Sequence, residues 1–483
     1  MLLIESVDSP PSVAALFLKL SEKPVPAWLD ANVDAGKLGR FSFLAADPFL
    51  KITAHGCNIT EENRLSGEKT EHQSPFFPFL DALQKRWQRP KESGFLPFES
   101  GLIGYLGYEL GHQVENFTQT TINDLNMPDA FFAAYDALIA IDHLTDTTWL
   151  LSSGLPEKAE SPEARIRARK RLDELREVVD RARKSEAKAA KTTNLEAEET
   201  KQISSAEGQL EANFSYPLYK SAIRKILDYI AAGDIYQVNL SQRFATPFSG
   251  NLQEFYIHFR NLSPTPFGAY LETGEHCIMS NSPERYLLIN GDYIETRPIK
   301  GTRPRGATTT EDSALGRELL LSPKDRAEHI MIVDLERNDL GRVADYGSVH
   351  VPEMQILESY ANVHHMVSTV AGRIRPGKSS SDCLFNSFPG GSITGAPKLR
   401  SMEIIDELES TCRGVYTGSI GYFDFSGDLD FNIAIRTAIA CNNHLYFQVG
   451  GGIVADSDPD DEYQETRTKA AAFLKTLQEK SRT

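Results

Sequence analysis

Glu295-Thr296-Arg297-Pro298-Ile299-Lys300-Gly301-Thr302-Arg303-Pro304-Arg305 is a cationic stretch in a chain of formal net charge −16. Lys300 ends an apparent strand, is followed by Gly301 and is flanked by prolines. Read by itself, the stretch is an exposed basic turn. Upstream, Ser282-Pro283-Glu284-Arg285 ends one strand and begins another, and its glutamate reads as a surface residue. Downstream, Ser322-Pro323-Lys324-Asp325 has the form of a helix cap. The helix it opens runs through Glu328, Ile332 and Leu335 into Asp334-Leu335-Glu336-Arg337-Asn338-Asp339.

Near the C-terminus, Asp458-Pro459-Asp460-Asp461 caps another helix, with Glu462 and Glu465 on one face and Lys469 a turn later. Carboxylates on two helices, without His or Cys alongside, suit a hard, oxygen-preferring ion such as Mg²⁺. Spacing alone equally suits solvated, dipole-complementing surface. Val449-Gly450-Gly451-Gly452-Ile453-Val454, glycines within an apolar strand, reads as a close approach of backbone to a ligand or as a tight bend.

The acidic balance disfavours nucleic acid, whose phosphates require a basic face. It also means that an anionic substrate must be met locally, by a metal or a few placed cations. Of the 483 residues, 41% are hydrophobic and 24% charged, which is ordinary for a globular chain. Cys57, Cys277, Cys383, Cys412 and Cys441 form no CxxC pair, so no disulfide framework or structural zinc is expected. The N-terminus lacks a signal-peptide pattern, and the apolar run 130–141 is short for a membrane span and carries Asp136. A soluble, cytoplasmic protein is expected.

Three zones are expected: a strand-rich region 1–152, a charged helical linker 153–212 and a region 213–475. In the linker, Ser161 caps a solvated surface helix with Pro162 at its first position. In the third zone, Tyr219, Ala222, Ile223, Ile226, Tyr229 and Ile230 share a helical face that Gly233 terminates. Tyr236, Val238 and Leu240 then alternate with polar residues, as in a half-buried strand. Gly101-Leu102-Ile103-Gly104-Tyr105-Leu106-Gly107 is not a dinucleotide fingerprint, and Gly390 to Lys398 lacks the Lys and Ser/Thr placement of a phosphate loop. The latter still implies a tight turn, with Pro397 opening a helix whose N–H groups could hold a carboxylate.

In order along the chain come Pro298-Ile299-Lys300-Gly301-Thr302, Glu328-His329, Asp334 to Gly341, His364-His365, Gly391 to Lys398, Gly450 to Gly452 and Glu462-Tyr463-Gln464-Glu465. This series resembles the chorismate-utilising enzymes over residues 213–475. Arg40-Phe41-Ser42-Phe43 and Gly104-Tyr105-Leu106-Gly107-Tyr108 resemble their N-terminal region. Within the family the chain looks most like the aminodeoxychorismate synthase large components. Lys300 is the discriminating residue, since anthranilate synthases usually carry a small residue there.

The resemblance implies an α/β fold: two large, mostly antiparallel sheets packed as a sandwich, with helices outside and the site in a cleft. It implies Mg²⁺ held by Glu328 and Glu465, with Glu462 beside them, against the ring carboxylate of chorismate. Arg436, Tyr416 and the amides of Gly450, Gly451 and Gly452 would take the enolpyruvyl carboxylate. Thr302, His365, Ser392 and Lys469 would line the pocket. Glu284 would be the general acid, which needs a raised pKa. Lys300 would be the nucleophile at ring C2, a role that requires its neutral amine. No Gly-x-Cys-x-Gly turn is present, so ammonia is expected from a separate glutamine amidotransferase subunit. An amino-acid (tryptophan) pocket is implied at Leu38, Gly39, Arg40 and Phe41 with Pro266, Phe267 and Gly268. Asp30-Ala31-Asn32 stands there where a serine would face the ligand's amino group. Anthranilate synthase and a catalytically silent amino-acid-binding subunit are the rival readings.

Overall fold

The computed structural model describes residues 2–32, 38–115, 117–192 and 210–479. The run 130–141 shows how the layers arise. Its residues are entirely buried, yet they form two strands, Ala130–Tyr135 and Ala137–Asp142, which belong to different sheets. Side chains alternate across a pleated strand. Accordingly Phe131, Ala133, Tyr135, Leu138 and Ala140 enter one shared core, while Ala130, Phe132 and Ala134 face a second and Ile139 and Ile141 a third. Asp136 is the corner between them. It is fully buried, and Arg167 (2.8 Å) and Arg171 (3.3 Å) hold its carboxylate.

Among the described residues the chain builds two twelve-stranded sheets whose strand pairs are antiparallel. The core shared by Phe43, Leu271 and Ile278 of one sheet with Ile103, Phe131, Ile420 and Tyr422 of the other makes them a sandwich. Each sheet draws strands from both ends of the chain. Phe267–Glu272 pairs with Ala27–Asp30, and Ser419–Asp424 pairs with Gly101–Leu106. Helices cover the outer faces. Gly104 is needed for close approach, since a Cβ there would lie 1.9 Å from the Phe131 carbonyl.

The helix Pro162–Thr192 departs from the solvated surface helix expected. Its Ala168, Leu172, Leu175, Val179 and Ala182 recur at helical spacing and are buried against the first sheet and the helix Val13–Leu20. The charged residues around this narrow stripe hide it in the composition. Ser161 does cap the helix, accepting from Ala164 N–H at 3.1 Å. No helix among the described residues is long and apolar enough to cross a membrane.

Candidate active site

Two segments cross from sheet to sheet side by side. Cys277–Ser282 continues as Arg285–Asn290, and Leu429–Asn432 continues as Thr437–Cys441. Glu284 sits in the first crossing and Arg436 ends the second. The crossings are stitched by Asn281 N–H to the Arg436 carbonyl (3.0 Å), Ile433 N–H to the Glu284 carbonyl (2.9 Å) and Ser282 Oγ to the Ile433 carbonyl (2.6 Å). Arg436 holds φ at +51°, a conformation costly for a residue with a side chain and typical of functional positions.

Glu284 is no surface residue: it is 4% exposed. Burial pushes its carboxyl up to about 7, opposed by the Ser392 hydroxyl, the Ile299 N–H and the nearby Lys300 and Arg436. It is therefore a carboxyl able to carry a proton near neutral pH. Arg436 is desolvated too, and the charge of Glu284 offsets that in part.

Lys300 lies within the strand Ile299–Pro304, not at its end. Ile299 pairs with Val367 but Thr302 with His365, so one extra residue is inserted on the Lys300 strand. This is a bulge, with Gly301 at φ +87°, and bulges re-aim side chains. Here Lys300 Nζ reaches Glu328 Oε2 at 3.2 Å and lies 2.8 Å from where a Cβ on Gly452 would stand. Thr302 Oγ1 meets His365 Nδ1 at 2.9 Å. Burial and Arg436 push the His365 imidazole down to about 3, so it is neutral, and its Nε2 has no partner among the described residues. His365 and Arg436 line one small cavity together with Pro283, Tyr360 and Pro266.

The carboxylate wall stands across the glycine strand. A Cβ on Gly451 would lie 3.1 Å from Glu462 Oε2 and 3.9 Å from Glu465 Oε1. Glu465 pairs with Lys469 (2.7 Å), whose Nζ also donates to the Gly450 carbonyl (2.8 Å). Glu462 accepts from Ser457 Oγ at 2.7 Å, and burial raises its pKa. Asn239, opposite Gly452 in the sheet, hydrogen-bonds Tyr416, whose buried phenol is pushed up to about 12. Glu328, Glu462 and Glu465 do not converge as a closed metal cage among the described residues. The donor set still fits Mg²⁺, which commonly takes one or two carboxylates and fills its octahedron with water and substrate oxygens.

The candidates are thus linked through neighbouring contacts, from Glu284 to Lys300, from Lys300 to Glu328 and Gly452, and from Gly450 and Gly451 to Lys469, Glu462 and Glu465. Of the implied amino-acid pocket, Gly268 pairs with Asp30 at the end of the strand Ala27–Asp30, Phe41 pairs with Asp142, the Phe267 ring lies under the Arg285 guanidinium at 5.1 Å, and Pro266 lines the cavity with His365. At that strand end Asp30 pairs with Arg260 at 2.6 Å, and the serine present is Ser42, whose Oγ accepts from Ala31 N–H at 2.9 Å. Arg40 pairs with Asp142 at 2.7 Å.

Sequence reasoning missed three buried groups. His329 is held neutral, its imidazole pushed down to about 4, with Nε2 2.7 Å from Ser368 Oγ. Glu336 and Asp339 are buried on the helix Pro323–Gly341. Their signal was legible, because Ile332, Glu336, Asp339 and Leu340 share one helical stripe, and carboxylates in an apolar stripe need a reason to be there. Lys398, the lysine of the glycine-rich motif, is buried on Asp339 (2.6 Å) and the Ser387 carbonyl (3.0 Å). Gly395 and Ala396 pair with the strand Gln237–Pro247, so that motif is a clasp between layers.

A sequence profile of the chorismate binding enzyme family matches residues 36–475. The aminodeoxychorismate synthase component 1 of Bacillus subtilis (strain 168) is 38% identical over 450 residues, 92% of this chain and 91% of that protein. The anthranilate synthase component 1 of Neisseria meningitidis serogroup C / serotype 2a (strain FAM18) is 37% identical over 484 residues, 99% and 94% of the two chains. Among solved structures, anthranilate synthase component I from Streptococcus pneumoniae TIGR4 superposes with a TM-score of 0.75 at 31% identity, covering 90% of this chain and 92% of that one.

Proposed function

Because the chain belongs to the chorismate binding enzyme family, we propose that it aminates chorismate at C4 to 4-amino-4-deoxychorismate, on the route to p-aminobenzoate and folate. Ammonia comes from a separate glutamine amidotransferase subunit. Relatives named for amination at C4 and for anthranilate formation are about equally similar, so overall identity does not separate the two. The observation that carries the choice is Lys300, aimed by its bulge between Glu328 and Gly452 on the Glu284 side of the cleft.

In this reading Arg436 and the Gly450–Gly452 backbone hold the enolpyruvyl carboxylate, with Tyr416 behind them. Thr302, His365, Ser392 and Lys469 complete the lining. Glu328 and Glu465, with Glu462 beside them, would hold Mg²⁺, which would supply counter-charge for the ring carboxylate. Glu284 delivers its proton to the C4 hydroxyl, which leaves as water. Lys300, its ammonium proton first given up to solvent, attacks C2 while the two ring double bonds shift towards C4. Ammonia then bonds at C4, the double bonds shift back, and the lysine nitrogen departs from C2. Glu328 pairs with Lys300 in the structure, and in this reading the same carboxylate would also face the ion. An occupied C2 steers ammonia to C4, and a small residue at position 300 would leave C2 open to ammonia.

Chorismate, ammonium and Mg²⁺ with the purified chain are expected to yield a product that a lyase converts to p-aminobenzoate. Fluorescent anthranilate as the sole product overturns the assignment. Glutamine is expected not to replace ammonium for this chain alone. Glu328→Gln and Glu465→Gln are expected to abolish turnover and Mn²⁺ binding followed by electron paramagnetic resonance.

A further inference from the structure

The loop that carries Ser392 is fastened from beneath. A Cβ on Gly391 would stand 2.6 Å from Leu335 Cδ2 and one on Gly390 2.7 Å from Ile433 Cδ1, so the loop is pressed between the helix Pro323–Gly341 and the second crossing. Glu336, 3% exposed, accepts the Gly391 N–H at 3.1 Å. Three residues along the same helix, Asp339 holds Lys398 at the far end of the loop. Both ends of 391–398 are thus tied to one helix by Glu336 and Asp339, and Ser392 between them neighbours Glu284, whose ionised form its hydroxyl favours.

We propose that Glu336 is a positioning residue for the proton donor: by holding Gly391 it fixes Ser392 against Glu284. This rests on the reading of Glu284 as the general acid. The charged and titratable groups facing Glu284 are Lys300, Arg436 and Glu336 itself; those facing Glu336 are Asp339, Lys398 and Glu284. Burial and Asp339 push Glu336 up to about 8, so near pH 7 it acts chiefly as a neutral hydrogen-bond acceptor. A glutamine, whose amide oxygen accepts in the same place, can substitute for it.

The test uses the full chain with chorismate, ammonium and Mg²⁺. Glu336→Ala is expected to lower kcat by about ten- to a hundredfold, the cost of a misplaced catalytic group, with KM nearly unchanged. Glu336→Gln is expected to restore most of that loss. Ser392 donates to the Glu284 carboxylate and so favours its ionised form. Ser392→Ala should therefore move the alkaline limb of kcat to higher pH, and Glu336→Ala should move it the same way. The double variant should be no worse than the poorer single one, because both act through one contact. Multiplying effects, a glutamine as damaging as alanine, or an unmoved limb in Ser392→Ala would each overturn the proposal. The last outcome remains decisive even if Glu336→Ala fails to fold. Glu284→Gln separates the two levels: full activity there removes the acid itself, whereas loss there with Glu336→Ala at wild-type rate removes only the positioning role.

Discussion

Glu284 and Lys300 are poised by opposite environments. The carboxyl is stripped of water and pushed up to about 7, whereas the amine keeps a carboxylate partner at 3.2 Å. A general acid must enter the reaction protonated, so kcat is expected to fall as pH rises through about 7, approaching tenfold per unit beyond it. A kcat flat to pH 9 would contradict the role. Lys300→Ala is expected to lose aminodeoxychorismate formation by a factor on the order of 10⁴ to 10⁶, the scale for removing a nucleophile. Incubation with chorismate and Mg²⁺ without ammonia, followed by peptide mass analysis, should find an adduct on the Lys300 peptide that the alanine variant lacks. Both residues were singled out for these roles in the sequence through the family resemblance alone. The burial of Glu284 was not legible, because Ser282-Pro283-Glu284-Arg285 reads as a polar turn and only its place between two sheets removes the water.

The strand bearing Lys300 shows why register matters. One extra residue opposite Met366 and a left-handed Gly301 turn the lysine towards the glycine strand. A Cβ at Gly301 would stand 2.8 Å from Leu319 Cδ1 and 3.1 Å from Asp325 Oδ1, on a backbone that disfavours side chains by about 1–2 kcal/mol. Gly301→Ala is thus expected to lower the melting temperature by a few degrees and kcat by about a hundredfold. A variant with wild-type kcat would show that the bulge does not aim the lysine. Helices were easier to read. Ser322 Oγ caps Asp325 N–H (3.3 Å) and Gly233 ends its helix at φ +83°, as local chemistry implied. The clasp from Gly390 to Lys398 was not readable, because its meaning depends on Glu336 and Asp339, over fifty residues away.

At the scale of the molecule, neighbouring strands cross between the sheets in two places. At one place the two crossings that carry Glu284 and Arg436 run side by side; at the other, Phe41–Ala45 passes to Leu50–His55 beside the corner at Asp136. The second is structural. Asp136→Ala would leave Arg171, 7% exposed at its side chain, without that partner, and breaking such a buried pair typically costs about 3–5 kcal/mol. Chemical denaturation is expected to show that loss, and a change under 1 kcal/mol would mean that Asp47 and Glu174 suffice for Arg171.

What the sequence determined by itself was chemical inventory and local form: an acidic chain with a few placed cations, carboxylates on two helices, glycines inside a strand, caps and stops, and an ordered set of motifs marking a family. These depend on residue type and near neighbours. Tertiary structure alone decided which of the carboxylates lose their water, that the apolar run 130–141 is split between two sheets, and that a charged helix hides a buried stripe. It also decided that Lys398 serves Asp339 and not a phosphate. Burial and long-range pairing depend on segments about 60 to 150 residues apart coming together, and that meeting sets the proton affinity of Glu284 and the aim of Lys300.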